Sequence, residues 1–302
     1  MSYREERFLT YTGPGKKTHV GYTKDMPAEE ISSLFHELLN SGIHGFCFSL
    51  YEEGQGPGHV VSEDQIRRRM SVLKPHTSWV RTFSCTEGNE FIPKVAKEMG
   101  IKTLVGAWLG SDSEKNEEEI ENLIKLAKEG LVDVAAVGNE VLYRNDLSPE
   151  ELLKKIRYVK EQISDDIPVG YVDAYYEFVN HQEIADICDV ILCNCYPYWE
   201  GTSIEDSFQH MQHMFNQAKQ AGNGKRVIIT ETGWPSQGEG LGGAKPSVEN
   251  AMKYFVNANL WSKDDDIEMF YFSSFDESWK VGSEGDVGAY WGVWDSNGKL
   301  KY

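Results

Sequence analysis

Short apolar runs alternate along this chain with longer segments whose apolar residues recur at helical spacing. The clearest run is Val-Ile-Ile at 227–229, and an unbroken β-branched run is typical of a strand buried on both faces of a parallel sheet. We predict eight strands of this kind, at residues 45–51, 79–84, 103–109, 132–139, 169–173, 190–196, 227–231 and 267–275.

The segments between these runs are amphipathic and predict helices. Gly42 is a suitable C-terminal stop for the first helix. Ser62 is a good N-cap for the second, and Gln65 three residues later predicts a capping box. The predicted helices span residues 27–40, 62–74, 89–99, 114–128, 148–163, 204–220 and 247–261, with a short helix near His181.

Eight strands separated by helices predict an α/β fold, a (β/α)8 TIM barrel. A doubly wound sheet is the main alternative, and the count of eight favours the barrel. Residues 1–302 are interpreted as one barrel domain, with an N-terminal extension over residues 1–42. No helix is predicted after the eighth strand, where Asn297-Gly298 indicates a hairpin turn. We expect the helix at 27–40 to fill the missing place in the helical ring.

The charge balance narrows the possible partners. Acidic residues outnumber basic ones by 48 to 30, for a net charge of −18. Such a surface repels phosphate backbones, so no nucleic-acid partner is expected, whereas a neutral polymer is not repelled. No apolar run reaches the ~18 residues of a membrane span, so no membrane partner is expected either, and we expect a monomer. No signal peptide is visible, which predicts a cytoplasmic chain unless a leader has been removed.

The cysteines and histidines give no support to a metal site. All five cysteines are predicted to be reduced thiols, because an odd number cannot fully pair and Cys193 and Cys195 share one face of a strand. The absence of a Cys-x-x-Cys pair argues against zinc. His210 and His213 have the spacing of metal ligands, but the apolar residues beside them favour an ordinary packed pair. No metal or cofactor is expected.

Two carboxylates follow apolar runs at the same predicted edge. Glu140 ends the run DVAAVGNE, and Glu231 ends the seventh strand. The carboxyl ends of barrel strands form active sites, and two carboxyl groups about 5 Å apart suit retaining glycoside cleavage. Either glutamate alone is as well explained by a structural ion pair; together they indicate an acid and a nucleophile.

Other side chains near the predicted barrel mouth suit a sugar ligand. The Asn139 amide can bind a sugar hydroxyl beside Glu140, and Tyr196 can donate a hydrogen bond to Glu231. Trp234 offers a stacking face next to Glu231. Further aromatic candidates at or beyond the strand ends are Tyr51, Trp108, Trp199 and Trp279. Covering the core is the alternative interpretation for Tyr51 and Trp108.

Four motifs together resemble glycoside hydrolase family 17, and in particular its compact bacterial-like branch. They are VGNE at 137–140, YPYWEG at 196–201, TETGWPS at 230–236 and the closing segment FDESWK…GAYWGVWD at 275–295. The resemblance covers the chain from about residue 42 to its end. It does not extend to the first forty residues, and Asp286 stands where the family pattern leads us to expect Glu.

The resemblance implies a retaining β-1,3-glucan (laminarin-type) hydrolase on a (β/α)8 barrel. It assigns Glu140 as acid/base and Glu231 as nucleophile, and it implies sugar binding by Glu277 and Lys280. A β-1,3-glucanosyltransferase with the same catalytic pair is the alternative. A non-catalytic glucan-binding barrel is disfavoured because both glutamates are present. A phosphate-handling barrel is disfavoured because Phe275, Asp276, Glu277 and Trp279 occupy the end of strand eight.

Overall fold

Eight strands pair side by side in chain order and close into a parallel barrel, with β1 hydrogen-bonded to both β2 and β8. The computed structural model describes residues 21–302. The strands are β1 Ile43–Cys47, β2 Thr77–Arg81, β3 Lys102–Ala107, β4 Val134–Asn139, β5 Val169–Ala174, β6 Val190–Asn194, β7 Arg226–Thr232 and β8 Met269–Tyr271. The predicted (β/α)8 barrel is confirmed, and the doubly wound alternative is wrong.

Helices follow or precede the strands around the outside of the barrel. They are α1 Ala28–Ser41, α2 Glu63–Leu73, α3 Phe91–Glu98, α4 Ser113–Lys128, α5 Val141–Arg144, α6 Pro149–Gln162, α7 Tyr175–Asn180, α8 Gln182–Ile187, α9 Ile204–Ala221, α10 Val248–Asp264 and α11 Val281–Glu284. No helix within residues 21–302 is both long enough and apolar enough to cross a lipid bilayer.

The apolar runs are longer than the strands they contain. Every residue of β8 is buried, but the strand has only three residues, and the buried Phe272 and Phe275 lie beyond its last ladder pair. These side chains are apolar because they pack into the core from the loop at the barrel rim. The hydrophobic pattern reports burial, so it overestimates the length of a strand whose loop is also buried.

The first helix occupies the place that β8 leaves open. Only 3-10 turns and the four-residue α11 follow β8, whereas α1 packs against α10. The Phe35 ring lies 4.7 Å from that of Phe255 on α10 and 5.2 Å from that of Tyr302. The prediction that the 27–40 helix completes the ring is confirmed. Residues 1–20 of the predicted extension lie outside the described residues.

The chain ends in the predicted hairpin. The Asp295 amide donates to the Lys299 carbonyl at 2.8 Å, and the Lys301 amide donates to the Val293 carbonyl at 3.1 Å. Gly298 has a φ of +84°, a conformation that glycine adopts at no steric cost. The turn at Asn297-Gly298 is therefore confirmed.

One predicted cap is only half correct. The Ser62 side chain accepts the Gln65 amide, as an N-cap should. The Gln65 side chain, however, donates to the Leu50 carbonyl at 2.8 Å and to Gln55. The reciprocal half of a capping box is therefore not formed, because the Gln65 side-chain oxygen, which would accept the Ser62 amide, accepts from Gln55 at 3.3 Å instead.

The cysteine and histidine predictions are confirmed. All five cysteines are buried and free, and the sulfurs of Cys193 and Cys195 lie 3.9 Å apart on one face. The buried His210 ring is hydrogen-bonded to Glu200 and stacks on the His213 ring, with centroids 6.1 Å apart.

Candidate active site

Glu140 and Glu231 meet at the carboxyl-terminal mouth of the barrel. Glu140 directly follows β4, and Glu231 is the last residue but one of β7. Both side chains are buried. A register shift between β6 and β7 after Cys193 pairs Asn194 with Glu231, which brings the Asn194 amide beside the two carboxylates.

The Asn194 side chain joins the two glutamates. Its Nδ2 donates to Glu140 Oε1 at 2.9 Å and to Glu231 Oε1 at 3.1 Å. The two acceptor oxygens are therefore at most about 6 Å apart, which suits the ~5–5.5 Å carboxyl separation of retaining glycoside hydrolases. Thr230 Oγ1 donates to Asn194 Oδ1 at 2.8 Å and so fixes which end of the amide faces the carboxylates.

Glu231 is held by charge and by hydrogen bonds. The fully buried Arg81 guanidinium donates to Glu231 Oε1 at 2.6 Å and to Asn139 Oδ1 at 2.6 Å. Tyr196 donates its hydroxyl to Glu231 Oε2 at 2.8 Å, as predicted from the sequence. With both oxygens occupied by donors, the Glu231 carboxylate keeps its charge compensated and its orientation fixed.

Glu140 has a different electrostatic environment. Burial and the nearby negative charge of Glu231 raise the pKa of Glu140 to about 7, while the Asn194 amide and Arg144 partly oppose the shift. Among residues 21–302, the Glu140 carboxylate accepts its hydrogen bond from the neutral Asn194 amide, whereas Glu231 also has the Arg81 guanidinium. Near neutral pH the pair can therefore hold one protonated and one ionised carboxyl group, as acid and nucleophile chemistry requires.

Glu277 and Lys280 form a second buried pair beside the site. Lys280 Nζ lies 2.6 Å from Glu277 Oε2 and 4.1 Å from the centre of the Phe272 ring. Burial lowers the pKa of Lys280, but neighbouring carboxylates, Glu277 first and Glu231 more weakly, raise it above its ordinary value. The predicted loop therefore lies within electrostatic reach of Glu231.

Three aromatic side chains present an accessible face near the mouth. Trp108 and Trp279 are 39 % and 37 % exposed, and Trp199 is half-buried. The Arg144 guanidinium lies 4.5 Å from the centre of the Trp108 ring. Tyr51 is buried, and its ring packs edge-on against Trp279 at 5.9 Å, so it supports another ring instead of presenting its own.

The prediction that Trp234 stacks on a ligand is wrong. Trp234 is 0 % exposed, its ring packs against Tyr198 and Tyr254, and its Nε1 donates to the Lys245 carbonyl at 3.0 Å. A Cβ on Gly233 would meet the Phe272 carbonyl at 2.0 Å, so the chain passes very close to that loop. Beyond Gly233 the Trp234 ring packs towards α10, away from the mouth.

Two central residues were missed in the sequence, Arg81 and Asn194. Each is a strongly polar residue at the carboxyl end of an otherwise apolar run, WVRTFS and VILCNCY. The same signal singled out Glu140 and Glu231, so a search for amide and guanidinium groups at strand ends would have found them. No group of three or more His, Cys, Asp or Glu side chains that could hold a metal occurs within residues 21–302.

Comparison with known proteins gives a consistent result. Residues 45–292 match the family model described as the BtgE/BtgC glycoside hydrolase domain. A Schizosaccharomyces pombe protein named glucan 1,3-beta-glucosidase is 29 % identical over 298 residues, which is 92 % of this chain and 91 % of that protein. An Arthroderma benhamiae protein of the same name is 30 % identical over 268 residues, 81 % of this chain and 85 % of that protein.

A solved structure extends the similarity to three dimensions. The glycoside hydrolase family 17 β-1,3-glucanosyltransferase from Rhizomucor miehei superposes with a TM-score of 0.78 at 30 % identity, covering 87 % of this chain and 96 % of that one. An active-site mutant of the same enzyme is known in complex with laminaritriose and superposes equally well.

Replacing Trp234 with alanine should destabilise the fold. Removing a fully buried indole leaves a cavity between Tyr198 and Tyr254, and such changes cost ~3–5 kcal/mol of the free energy of unfolding. Denaturant unfolding of the variant measures this loss. Trp108→Ala, at a half-exposed position, is the matched control and should cost less than about 1 kcal/mol. Wild-type stability in Trp234→Ala would contradict the burial.

Replacing Glu231 with glutamine should lower the pKa of Glu140 from about 7 towards its ordinary value, by about one unit or more. Without the negative charge of Glu231, Glu140 loses its proton more easily. The positive charge of Arg81 is then no longer paired with a carboxylate, and this also lowers the pKa of Glu140. Carbon-13 NMR titration of labelled glutamate carboxyl groups measures the shift, with the exposed Glu151 as internal control. An unchanged Glu140 pKa would show that burial alone sets it.

Proposed function

The chain belongs to glycoside hydrolase family 17, and from this and the site geometry we propose that it cleaves β-1,3-glucan with retention of configuration, using Glu231 as nucleophile and Glu140 as acid/base. The observation that carries the proposal is the pair of buried carboxylates bridged by the Asn194 amide, of which only Glu231 has a guanidinium partner. That difference, together with the raised pKa of Glu140, favours Glu140 as the proton donor of the pair.

The first step forms a covalent intermediate. A Glu231 oxygen attacks the anomeric carbon while Glu140 gives its proton to the departing glycosidic oxygen. The bond between the anomeric carbon and that oxygen breaks, and an ester to Glu231 forms. Arg81 and Tyr196 hold the attacking carboxylate in one orientation, which removes part of the entropic barrier.

The second step returns the enzyme to its starting state. Once Glu231 is esterified its negative charge is gone, and with it the repulsion that raised the pKa of Glu140. Glu140 is then more readily ionised and takes a proton from the attacking water, while the ester bond breaks. The electrostatic coupling between Glu231 and Glu140 thus favours the protonated form of Glu140 in the first step and its ionised form in the second.

Several further groups are proposed to bind the glucan. Asn139, next to Glu140, has its amide oxygen fixed by Arg81, so its Nδ2 is available to a sugar oxygen. Trp199 and Trp279 offer apolar faces that suit sugar rings, Tyr51 supports Trp279, and the Glu277–Lys280 pair supplies charged hydrogen-bonding groups. Trp108 is a further exposed face at the mouth.

The whole chain is proposed to act as one catalytic domain and as a monomer. Every group of the proposed site comes from a single chain, on strands β2, β4, β6 and β7 or in the segments that follow β1, β3, β4, β6 and β8. The net charge of −18 disfavours nucleic acid but leaves a neutral glucan unaffected, and no membrane partner is invoked.

Transfer to a second sugar is the alternative function. The Rhizomucor miehei relative is named a β-1,3-glucanosyltransferase. It is 30 % identical to this chain, and the match covers 96 % of its length. Both reactions pass through the same ester to Glu231. They differ only in whether water or a sugar hydroxyl gives its proton to Glu140.

Products from a linear β-1,3-linked oligosaccharide series test the substrate and separate the two reactions. We expect shorter products of retained configuration from hydrolysis, with products longer than the substrate only if transfer competes. Chromatography with NMR of the anomeric protons gives both results. β-1,4-linked oligosaccharides of equal length are the control and should remain intact. Cleavage of the β-1,4 series in preference would exclude the proposed substrate.

Azide rescue tests the two catalytic roles. With Glu231→Gly, turnover of glucan should fall by several orders of magnitude, and azide should restore activity on an activated substrate with an inverted product. With Glu140→Ala, azide should give a retained product, because the covalent step survives when the leaving group needs no proton. The opposite stereochemistry in the two variants would reverse the assignment.

A further inference from the structure

Glu140 occupies an unusual backbone position. It is the N-cap of α5, with φ +52° and ψ +32°, a left-handed conformation in which the Cβ of a non-glycine residue is crowded. An N-cap side chain ordinarily accepts a hydrogen bond from the first turn of its helix. The Glu140 carboxylate makes no such bond and is directed instead to Asn194. The backbone donors of α5 therefore need other acceptors.

Strand β5 provides those acceptors. The Leu142 amide donates to the Tyr171 hydroxyl at 2.9 Å, and the Tyr143 amide donates to Asp173 Oδ2 at 3.3 Å. The Tyr171 hydroxyl in turn donates to Asp173 Oδ2. Between these two side chains, the Val172 carbonyl accepts the Glu140 amide at 2.7 Å. Three consecutive residues of β5 thus hold the turn that carries Glu140.

Asp173 makes these contacts at an energetic disadvantage. It is fully buried, and within residues 21–302 it forms no ion pair. Its other oxygen accepts the Ala174 amide at 2.8 Å. Burial, together with the neighbouring Glu140 and Glu177, raises the pKa of Asp173. A buried carboxylate without a cation is costly, and here its bonds are made to the turn that follows Glu140.

We propose that Tyr171 and Asp173 are positioning residues, which cap α5 in place of Glu140 and so leave the Glu140 carboxyl free to face the scissile bond. The proposal rests on the acid/base role assigned to Glu140 above. Neither residue is exposed, so neither contacts substrate. Both residues bond to the backbone of α5, and Asp173 also interacts with Glu140 through its charge.

The consequence is specific to proton transfer. Glu231 lies on β7 and is held by Arg81, Asn194 and Tyr196. None of these three side chains bonds to Tyr171 or Asp173. Loosening α5 should therefore misplace the acid while leaving the nucleophile in position, and small displacements of a catalytic group can cost about 100-fold in rate.

Tyr171→Phe is the sharpest variant, since it keeps the buried ring and removes only the oxygen that accepts the Leu142 amide. We expect kcat/KM on a laminari-oligosaccharide to fall by about tenfold or more. For a 2,4-dinitrophenyl β-laminaribioside, whose leaving group needs no proton, kcat/KM should stay within about twofold of wild type. Azide should also accelerate turnover of this activated substrate and give a retained product.

Asp173→Asn provides an independent variant. Asparagine has one acceptor oxygen where Asp173 uses two, so either the Tyr143 or the Ala174 amide loses its partner. The same selective loss on the oligosaccharide is expected. Tyr254→Phe is the matched control, since it removes a buried hydroxyl bonded to Thr232 on the strand of the nucleophile. Any loss there should be equal on both substrates.

The outcomes separate this inference from the function on which it rests. Glu140→Ala can show the selective loss of kcat/KM on the oligosaccharide while Tyr171→Phe and Asp173→Asn lower kcat/KM equally on both substrates, or on neither. In that case the positioning role is wrong and the proposed function stands. If Glu140→Ala lowers kcat/KM equally on both substrates, the acid/base assignment of Glu140 is wrong, and the positioning role that rests on it is wrong as well. Selective loss in all three variants, with none in Tyr254→Phe, supports both.

Discussion

The ion pair between Arg81 and Glu231 is the interaction on which the rest of the site depends. Taking a guanidinium and a carboxylate out of water is costly, and removing one partner of such a pair costs about 3–5 kcal/mol. Here the cost is offset by the 2.6 Å contact and by bonds from each partner to Asn139, Asn194 and Tyr196. Because the Arg81 guanidinium is committed to Glu231, no cation within residues 21–302 forms an ion pair with Glu140, and burial beside the charge of Glu231 makes Glu140 hold its proton more tightly. The Arg81–Glu231 ion pair thus gives two chemically identical side chains different electrostatic environments.

Barrel closure brings these groups together from distant parts of the chain. Arg81 on β2 and Glu231 on β7 are 150 positions apart, and their contact crosses the barrel mouth. The irregular register between β6 and β7 then sets Asn194 opposite Glu231, where its amide reaches both carboxylates. A regular ladder would pair Asn194 with Thr230 instead of Glu231, and successive residues of a strand point to opposite faces of the sheet. Register shifts also occur between β4 and β5 after Ala136 and between β7 and β8 after Ile229, so the site is built where the ladders of the barrel are irregular.

The sequence predicted the order of strands and helices well because buried parallel strands produce continuous apolar runs. It also predicted that Glu140 and Glu231 share one edge, since that follows from chain direction alone. It did not predict the environment of Trp234, which lies beyond the regular strand, where alternation no longer fixes the direction of a side chain and packing between Tyr198 and Tyr254 decides it. Arg81 and Asn194 stand at strand ends like Glu140 and Glu231, so their positions could have been predicted from the sequence. The contacts across the barrel that make them important could not, because a pattern within one strand contains no information about such contacts.

The strained backbone of Glu140 shows how the fold and the chemistry are connected. A left-handed glutamate that also gives up its capping role has two local disadvantages. It persists because β5, buried on all sides, presents the Tyr171, Val172 and Asp173 acceptors at fixed positions. The stability of the closed sheet is thus used to hold a conformation that the local sequence disfavours. The proposed nucleophile has a different support, since Glu231 lies within β7, its carbonyl accepts the Cys195 amide at 2.9 Å, and its carboxylate is held directly by Arg81 and Tyr196. Of the two carboxyl groups, the proposed acid/base is therefore the one whose backbone turn is held by side chains of the neighbouring strand.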